Sequence, residues 1–132
     1  MIRFAPETRI PRNYARFVGL IEDLFAKGAV PPERPLIRLE RGVSVRALRA
    51  SVEGPAWAFA EGGERIDLPR EVGRLEVDLL AVIGGFPHGD FRSPVRDVCD
   101  RVVSIHPAPL TAWTVAGELL AAYRHRASSR AP

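Results

Sequence analysis

The sequence has one cysteine, one lysine and no long apolar run, and each shortage excludes a class of protein or site. Cys99 alone cannot form an internal disulfide or a cysteine-based metal site, and its simplest interpretation is a small buried apolar residue. No apolar stretch approaches the ~18 residues that a membrane-spanning helix needs. The first residues, MIRFAPETRIPRNYARF, carry charges where a signal peptide has its apolar core. We therefore expect a cytoplasmic protein with no membrane partner.

The basic residues are unevenly distributed, and all but Lys27 are arginine. Residues 1–50 contain ten basic and five acidic residues, whereas residues 51–132 contain nine basic and eleven acidic ones. The planar guanidinium binds phosphate through two parallel hydrogen bonds and stacks on bases, which makes nucleic acid a candidate partner of the N-terminal part. A GC-rich genome or thermal adaptation explains an arginine-rich composition equally well, so composition alone leaves both explanations open.

The hydrophobic pattern predicts alternating strands and helices, typical of an α/β fold with a mainly parallel sheet. We expect one domain over residues 1–126 and a flexible tail over residues 127–132. The continuous apolar run at 78–83 predicts a central strand buried on both faces, and residues 56–68 predict a hairpin or loop. The other predicted strands are 2–4, 36–40 and 102–105, and the predicted helices are a long one ending at 28 and those at 45–50, 94–100 and 111–126.

Two loops with unusual composition follow the last two predicted strands. The first, IGGFPHGDF at 83–91, has three glycines that let the backbone approach a ligand and expose its amides. Its spacing matches neither the dinucleotide fingerprint nor a phosphate-binding loop. The second, SIHPAPL at 104–110, precedes a helix start, TAWTV. Because parallel sheets bind ligands at the carboxyl ends of their strands, we expect both loops to line one cofactor site. A glycine-rich turn without a ligand is the alternative for the first loop alone.

Three segments, in order along the chain, resemble one family. They are RIPRNYARFVGL at 9–20, IGGFPHGDF at 83–91 and PLTAWTV at 109–115. The sequence resembles the archaeal branch of the ribosome-biogenesis small-subunit rRNA pseudouridine methyltransferases, a family of the SPOUT, trefoil-knot superfamily. The resemblance covers nearly all of this chain but only the C-terminal part of a usual member. We therefore expect a partial SPOUT-type methyltransferase domain that lacks the usual N-terminal strands, with a chain start that is misassigned, truncated or genuinely shortened.

The resemblance implies a fold, a cofactor and a reaction. The fold would have helices on both faces of the sheet and a C-terminal trefoil knot, an exception to the rule against threaded chains. The protein would act as a homodimer that transfers a methyl group from S-adenosyl-L-methionine to N1 of a pseudouridine in small-subunit rRNA during ribosome biogenesis. Leu48 would form a third wall of the cofactor pocket. The main contacts, mostly through backbone groups, would come from Gly84, Gly89, Ile105, His106, Pro107, Ala108, Pro109 and Leu110.

The resemblance also implies an RNA-binding role for Arg9, Arg12 and Arg16, which match family residues that grip RNA beside the target base. If the helix begins by Arg12, then Arg12 and Arg16 share one face and can span adjacent phosphates. Tyr14 could stack on a base, although a partly buried ring at a helix start is an equally good interpretation.

Other candidate chemistry is set aside or left open. His88, Asp90 and His106 are possible metal ligands, but both loops are explained by the cofactor and the reaction needs no metal, so we expect none. Asp90 is one possible proton acceptor; solvent or a group outside this chain is equally possible, and no catalytic residue is assigned. Trp57 and Trp113 are expected to be core or dimer-interface aromatics.

A second class of function also fits the sequence. The chain could be a noncatalytic rRNA-binding ribosome assembly factor that retains the cofactor pocket. Methyl incorporation into rRNA distinguishes the two classes.

Overall fold

The computed structural model describes residues 1–85, 89–91 and 94–130, with the side chains of residues 129 and 130 left out. The chain divides into two compact units, Met1–Ser44 and Val45–Pro132. Each unit has its own three-stranded sheet.

The first unit is a small antiparallel sheet with one helix. Strand β3 (Ile37–Leu39) lies between β1 (Ile2–Phe4) and β2 (Ala29–Val30), and helix α1 (Tyr14–Lys27) connects β1 to β2. Helix α1 contacts β2 and β3, and it buries Leu24 completely. The strands predicted at 2–4 and 36–40 are confirmed, but they pair antiparallel, whereas the sequence pattern had predicted a mainly parallel sheet.

Helix α1 begins after Arg12, whereas a shared helix face for Arg12 and Arg16 requires the helix to begin by Arg12. Asn13 caps it, because its side-chain Oδ1 accepts the Arg16 N–H at 3.2 Å. The helix ends at Gly28, whose N–H donates to the Leu24 carbonyl. Arg12 therefore lies before the cap, in non-helical chain, so the condition under which Arg12 and Arg16 would share a helix face is not met.

The second unit alternates helices and strands around a parallel sheet. The sheet order is β5-β4-β6, and both pairings are parallel, so the predicted α/β class with a parallel sheet is confirmed. The elements in chain order are α2 (Val45–Ala50), β4 (Ala56–Arg65), α3 (Leu68–Arg74), β5 (Leu80–Ile83), α4 (Val95–Val98), β6 (Arg101–Ser104) and α5 (Ala112–Arg130).

The central strand is β4, where the sequence pattern predicted a hairpin or loop. Trp57 and Phe59 point to one face of the sheet and Ala56 and Ala58 to the other, and all four side chains are buried. Strand β5, predicted to be central, flanks β4 and is only half-buried. The two strands that carry the loops are therefore separated by β4 rather than adjacent.

The core of the second unit lies between the sheet and helices α3 and α5, which contact each other. The Trp57 ring belongs to this core, and the Arg101 guanidinium carbon lies 5.0 Å from the ring centroid. Trp57 is thus a core aromatic as expected, whereas the other tryptophan, Trp113, is 77% exposed and is not part of the core. The buried members of the cluster are Trp57, Phe59, Ile66, Leu68, Val72, Val103, Val115, Leu119 and Ala122.

Helix α5 continues through Arg130, four residues beyond its predicted end. The Ser128 hydroxyl donates to the Arg124 carbonyl, so its hydrogen-bonding capacity is met within the helix. Residues 127–130 are therefore helical, where we expected a tail, and residues 131–132 lie outside the described chain. No helix in the described parts of the chain is long and apolar enough to cross a membrane.

Candidate functional site

A cleft of about 740 Å³ opens at the carboxyl ends of β5 and β6, beside the middle of β4, where the pairing of β4 with β5 ends at Phe59 and Ile83. It lies wholly within the second unit. The cleft is lined by the middle of β4 (Phe59, Ala60, Glu61, Gly62), the end of β5 with residues that follow it (Ile83, Gly84, Gly89, Asp90, Phe91), the end of β6 with the following loop (Val103 to Leu110), and the start of α5 (Ala112, Val115). Three separate stretches of sequence thus meet at the sheet edge where α/β proteins bind ligands.

The segment after β5 turns sharply at Gly89 and is then held by a carboxylate. Gly89 has φ of 92°, a left-handed conformation that side-chain-bearing residues rarely adopt. The Asp90 Oδ1 accepts the Phe91 N–H at 2.7 Å, and its Oδ2 forms an ion pair with Arg96 of α4. The Phe91 amide and the Arg96 guanidinium together hold the pKa of the Asp90 carboxyl below its usual value.

The loop after β6 is held by its own side chains. Ser104, almost fully buried, donates its hydroxyl to the His106 carbonyl at 2.9 Å. The Ala108 N–H donates to the His106 Nδ1 at 3.1 Å. At the start of α5, the Thr111 Oγ1 accepts the Thr114 N–H at 3.4 Å. These bonds fix the backbone that faces the cleft, so the loop presents a preformed wall.

The structure brings together eight of the nine residues implied as cofactor contacts. Leu48 does not line the cleft; it lies half-buried on α2. Contact with a cofactor remains a prediction for all nine. The eight that line the cleft are Gly84, Gly89, Ile105, His106, Pro107, Ala108, Pro109 and Leu110.

Sequence reasoning missed the wall that β4 supplies. Phe59 to Gly62 lie in the middle of this strand, where its buried half ends, and Glu61 adds a carboxylate to the cleft. The signal was available, because a short apolar run followed by Glu61 and then two glycines is similar to the apolar run and glycines at the end of β5. The sequence pattern instead favoured a hairpin or loop there.

The three arginines implied in RNA binding lie in the first unit. Arg9 and Arg12 precede α1 and Arg16 lies in its first turn, and all three are exposed. Among the described residues, none of the three forms an ion pair. Tyr14, the first residue of α1, is 81% exposed, so the interpretation as a partly buried ring is wrong.

The described residues contain no group of side chains placed to bind a metal ion. Asp90 and His106 both line the cleft, but no three His, Cys, Asp or Glu residues of the described chain are placed to hold an ion together. His88 lies outside the described residues. Cys99 is half-buried rather than fully buried, and its burial, with a smaller contribution from Asp100, raises the pKa of the thiol.

The chain matches the family described as EMG1/NEP1 methyltransferase over residues 1–124. It belongs to this family. The chain is 41% identical over 128 residues to the ribosomal RNA small subunit methyltransferase Nep1 of Thermococcus onnurineus. The match covers 95% of this chain and 57% of the relative. The corresponding protein of Pyrobaculum arsenaticum is 46% identical over 94 residues, 70% of this chain and 42% of the relative. The family expected from the sequence motifs is confirmed.

A solved structure of the same family is also similar. Archaeoglobus fulgidus Nep1, bound to S-adenosylhomocysteine, matches with a TM-score of 0.79 and 29% identity over 96% of this chain and 57% of that one. This EMG1/NEP1 chain therefore spans a little over half the length of the solved Nep1 and of the Thermococcus onnurineus relative.

Proposed function

We propose that this EMG1/NEP1 family chain binds S-adenosyl-L-methionine in the cleft and serves to methylate small-subunit rRNA, at N1 of a pseudouridine, during ribosome biogenesis in the cytoplasm. The observation that carries the proposal is that eight residues implied by the family motifs surround one cleft at the carboxyl ends of the sheet. The proposal is supported by the names of the relatives, which are rRNA small-subunit methyltransferases, and by the S-adenosylhomocysteine bound to the Archaeoglobus protein.

The residues of the cleft fit this cofactor. Its volume of about 740 Å³ lies within the range of ~300–1,000 Å³ typical of cofactor pockets. Ile83, Leu110 and Val115 supply apolar surface for a base, and the Gly89 backbone carries no side chain that would hinder close approach. Glu61 supplies a negative charge of the sign that complements a sulfonium or an ammonium group.

The role that remains for the protein is positioning. When bound, S-adenosyl-L-methionine supplies a methyl group on a positively charged sulfur. The chain holds the donor in one orientation through the loop after β6, which its own side chains already fix. Positioning of this kind contributes up to ~7–11 kcal/mol to a rate.

Arg9, Arg12 and Arg16 are proposed to bind rRNA phosphates. Their exposure and their lack of carboxylate partners among the described residues leave the guanidinium donors available. Tyr14 lies between Arg12 and Arg16 and offers an exposed ring on which a base can stack.

The proposed homodimer would use the exposed face of α5. Trp113 and Leu120 are seven residues apart, so they lie on one face of the helix, and they are 77% and 70% exposed. Ala116 and Gly117 lie between them and allow close approach of a second helix. Leu120→Arg should convert a dimer to monomer in sedimentation, whereas Val77→Arg, at another exposed apolar site, should not.

The deciding experiment is calorimetric titration of the purified chain with S-adenosylhomocysteine, together with methyl incorporation into small-subunit rRNA. Saturable binding that a Gly89→Trp variant loses, with labelling of rRNA, is the expected result. A folded chain that binds no S-adenosylhomocysteine contradicts the proposal. Binding of S-adenosylhomocysteine and of rRNA without labelling would instead support a noncatalytic assembly factor.

A further inference from the structure

Two carboxylates line the cleft, and the structure gives them different surroundings. Glu61 forms no ion pair or hydrogen bond through its side chain with any residue that the structure describes. Asp90 has both oxygens engaged, one by the Phe91 amide and the other by Arg96. A carboxylate that receives a guanidinium and an amide is stabilised in its charged form.

The Asp90 contacts connect the cofactor cleft to a neighbouring helix. Gly89 adopts a left-handed conformation, Asp90 accepts the next amide, and the second oxygen of Asp90 reaches Arg96 of α4. Arg96 does not line the cleft. The ion pair therefore connects a residue that faces the cleft to a helix residue that does not.

We infer that Asp90 and Arg96 form a positioning pair, which holds Gly89 to Phe91 in the conformation that binds the cofactor, and that Asp90 is not the proton acceptor of the reaction. This inference rests on the proposed function. A proton acceptor needs an oxygen free to face the reacting nitrogen, and a carboxylate with a lowered pKa is a weaker base. Asp90 meets neither requirement.

The pair is suited to order a loop without stabilising the whole fold. The side chains of Arg96 and Asp90 are 42% and 48% exposed, and ion pairs with that exposure contribute little to global stability. Variants of either residue should fold normally. Their effect should be confined to the loop and hence to ligand affinity.

The test is a double-mutant cycle on ligand binding. S-adenosylmethionine and S-adenosylhomocysteine are each titrated into the wild type, Asp90→Asn, Arg96→Gln, the double variant and Arg96→Lys. We expect both single variants to lower the affinity for both ligands to the same extent, by about 3- to 10-fold, because each variant loses a charge-assisted contact. The double variant should be no weaker than the weaker single variant, and Arg96→Lys should restore most of the affinity.

Two matched controls separate positioning from charge. Lys27→Gln removes the Asp23–Lys27 pair of α1, which has similar exposure and no contact with the cleft, and should leave both affinities unchanged. Glu61→Gln removes a cleft carboxylate that has no partner among the described residues. This substitution should lower the affinity for S-adenosylmethionine, whose sulfur is positively charged, more than the affinity for S-adenosylhomocysteine, whose sulfur is uncharged.

Each other outcome overturns the inference. If Asp90→Asn weakens only S-adenosylmethionine, as Glu61→Gln should, then Asp90 acts as a counter-charge. Unchanged affinities, or additive losses in the double variant, would mean that the pair does not hold the loop.

A ligand-free measurement separates this inference from the proposed function. If the wild type binds neither ligand, the proposed function fails. Hydrogen exchange at the Phe91 amide is then measured in the ligand-free chain, where it depends on the Asp90–Arg96 pair and not on ligand binding. Faster exchange in both single variants supports the positioning pair, and unaltered exchange overturns it.

Discussion

Gly63 lies directly against the backbone of Val103. A Cβ added at Gly63 would lie 2.6 Å from the Val103 carbonyl carbon and 2.7 Å from its nitrogen. Strand β4 pairs with Val103 twice, through Phe59 and through Glu64, so the segment that contains Gly63 runs closely along β6. The neighbouring atoms belong to backbone and cannot rotate away. Any side chain at position 63 must therefore push the two strands apart.

Gly63→Ala should destabilise the chain by roughly 2–3 kcal/mol, because overpacking against a strand backbone cannot be relieved by a rotamer change. Chemical denaturation measures the difference. Gly62→Ala is the matched control, since nothing lies within 4 Å of a Cβ at that position, and its stability should stay within about 0.5 kcal/mol of the wild type. Equal losses in the two variants would contradict the crowding argument.

Gly89→Ala should weaken S-adenosylhomocysteine binding by about tenfold with little change in global stability. The reason is backbone strain, because φ is 92° although a Cβ there would meet nothing within 4 Å. Gly85→Ala, which also has open space and no positive φ, should bind nearly as the wild type does. Calorimetry compares the two, and equal affinities would rule out strain at Gly89.

Tyr123→Phe should cost about 1 kcal/mol of stability. The Leu79 N–H donates to the Tyr123 hydroxyl at 2.9 Å, and the substitution leaves this partly buried amide without its partner. Thermal unfolding checks it. Tyr14→Phe serves as the control, because the Tyr14 side chain is 81% exposed and should tolerate loss of its hydroxyl at no cost.

Replacing Arg9, Arg12 or Arg16 by glutamine should weaken rRNA binding and lower its salt dependence. Each neutralised phosphate contact should reduce the slope of log affinity against log salt by about 0.7 for single-stranded RNA. Filter-binding titrations at several salt concentrations measure this slope. Arg70→Gln, at an exposed arginine of α3, should leave the slope unchanged. An affinity indifferent to salt in the wild type would exclude the three arginines as phosphate ligands.

The Asp90 carboxyl should titrate below the ordinary aspartate value in the free chain. Because its folded pKa is lowered, chiefly by the Phe91 amide and then by Arg96, its contribution to loop order is complete at neutral pH. That contribution is lost as pH falls through the lowered folded pKa. NMR titration of the side-chain carbon measures it, and Arg96→Gln should raise the pKa toward the ordinary value. An unchanged pKa in that variant would mean that the guanidinium does not act on Asp90.

The sequence predicted the two loops that line the cleft better than it predicted the sheet that carries them. Loop composition is local, because the glycines at 84 and 89 permit backbone conformations that other residues avoid, and the prolines at 107 and 109 fix φ wherever they occur. Strand order depends on contacts between distant segments. Ala56 to Phe59 carry two aromatic residues that favour strands but no β-branched residue, and the glycines at 62 and 63 favoured a turn, although tertiary packing buries all four side chains.

The start of helix α1 and the surroundings of the two tryptophans also depend on contacts that the hydrophobic pattern does not show. Asn13 sets the start of α1 through one side-chain bond, which spacing of apolar residues does not reveal. Trp57 and Trp113 looked alike in sequence, yet one packs in the core beneath Arg101 and the other is exposed on α5. Only the fold distinguishes them.

Three separate stretches of the described chain line the cleft, one in β4, one at and after the end of β5, and one from the end of β6 into α5, and no one of them forms it alone. It therefore exists only when β4, β5 and β6 have assembled. Any ligand that binds there recognises the folded chain and not the unfolded one, so it shifts the unfolding equilibrium by mass action, by ~2.7 kcal/mol at a hundredfold excess over its Kd. Ligand binding and folding are then thermodynamically linked, so a rise in the melting temperature on addition of a ligand measures occupancy of the cleft.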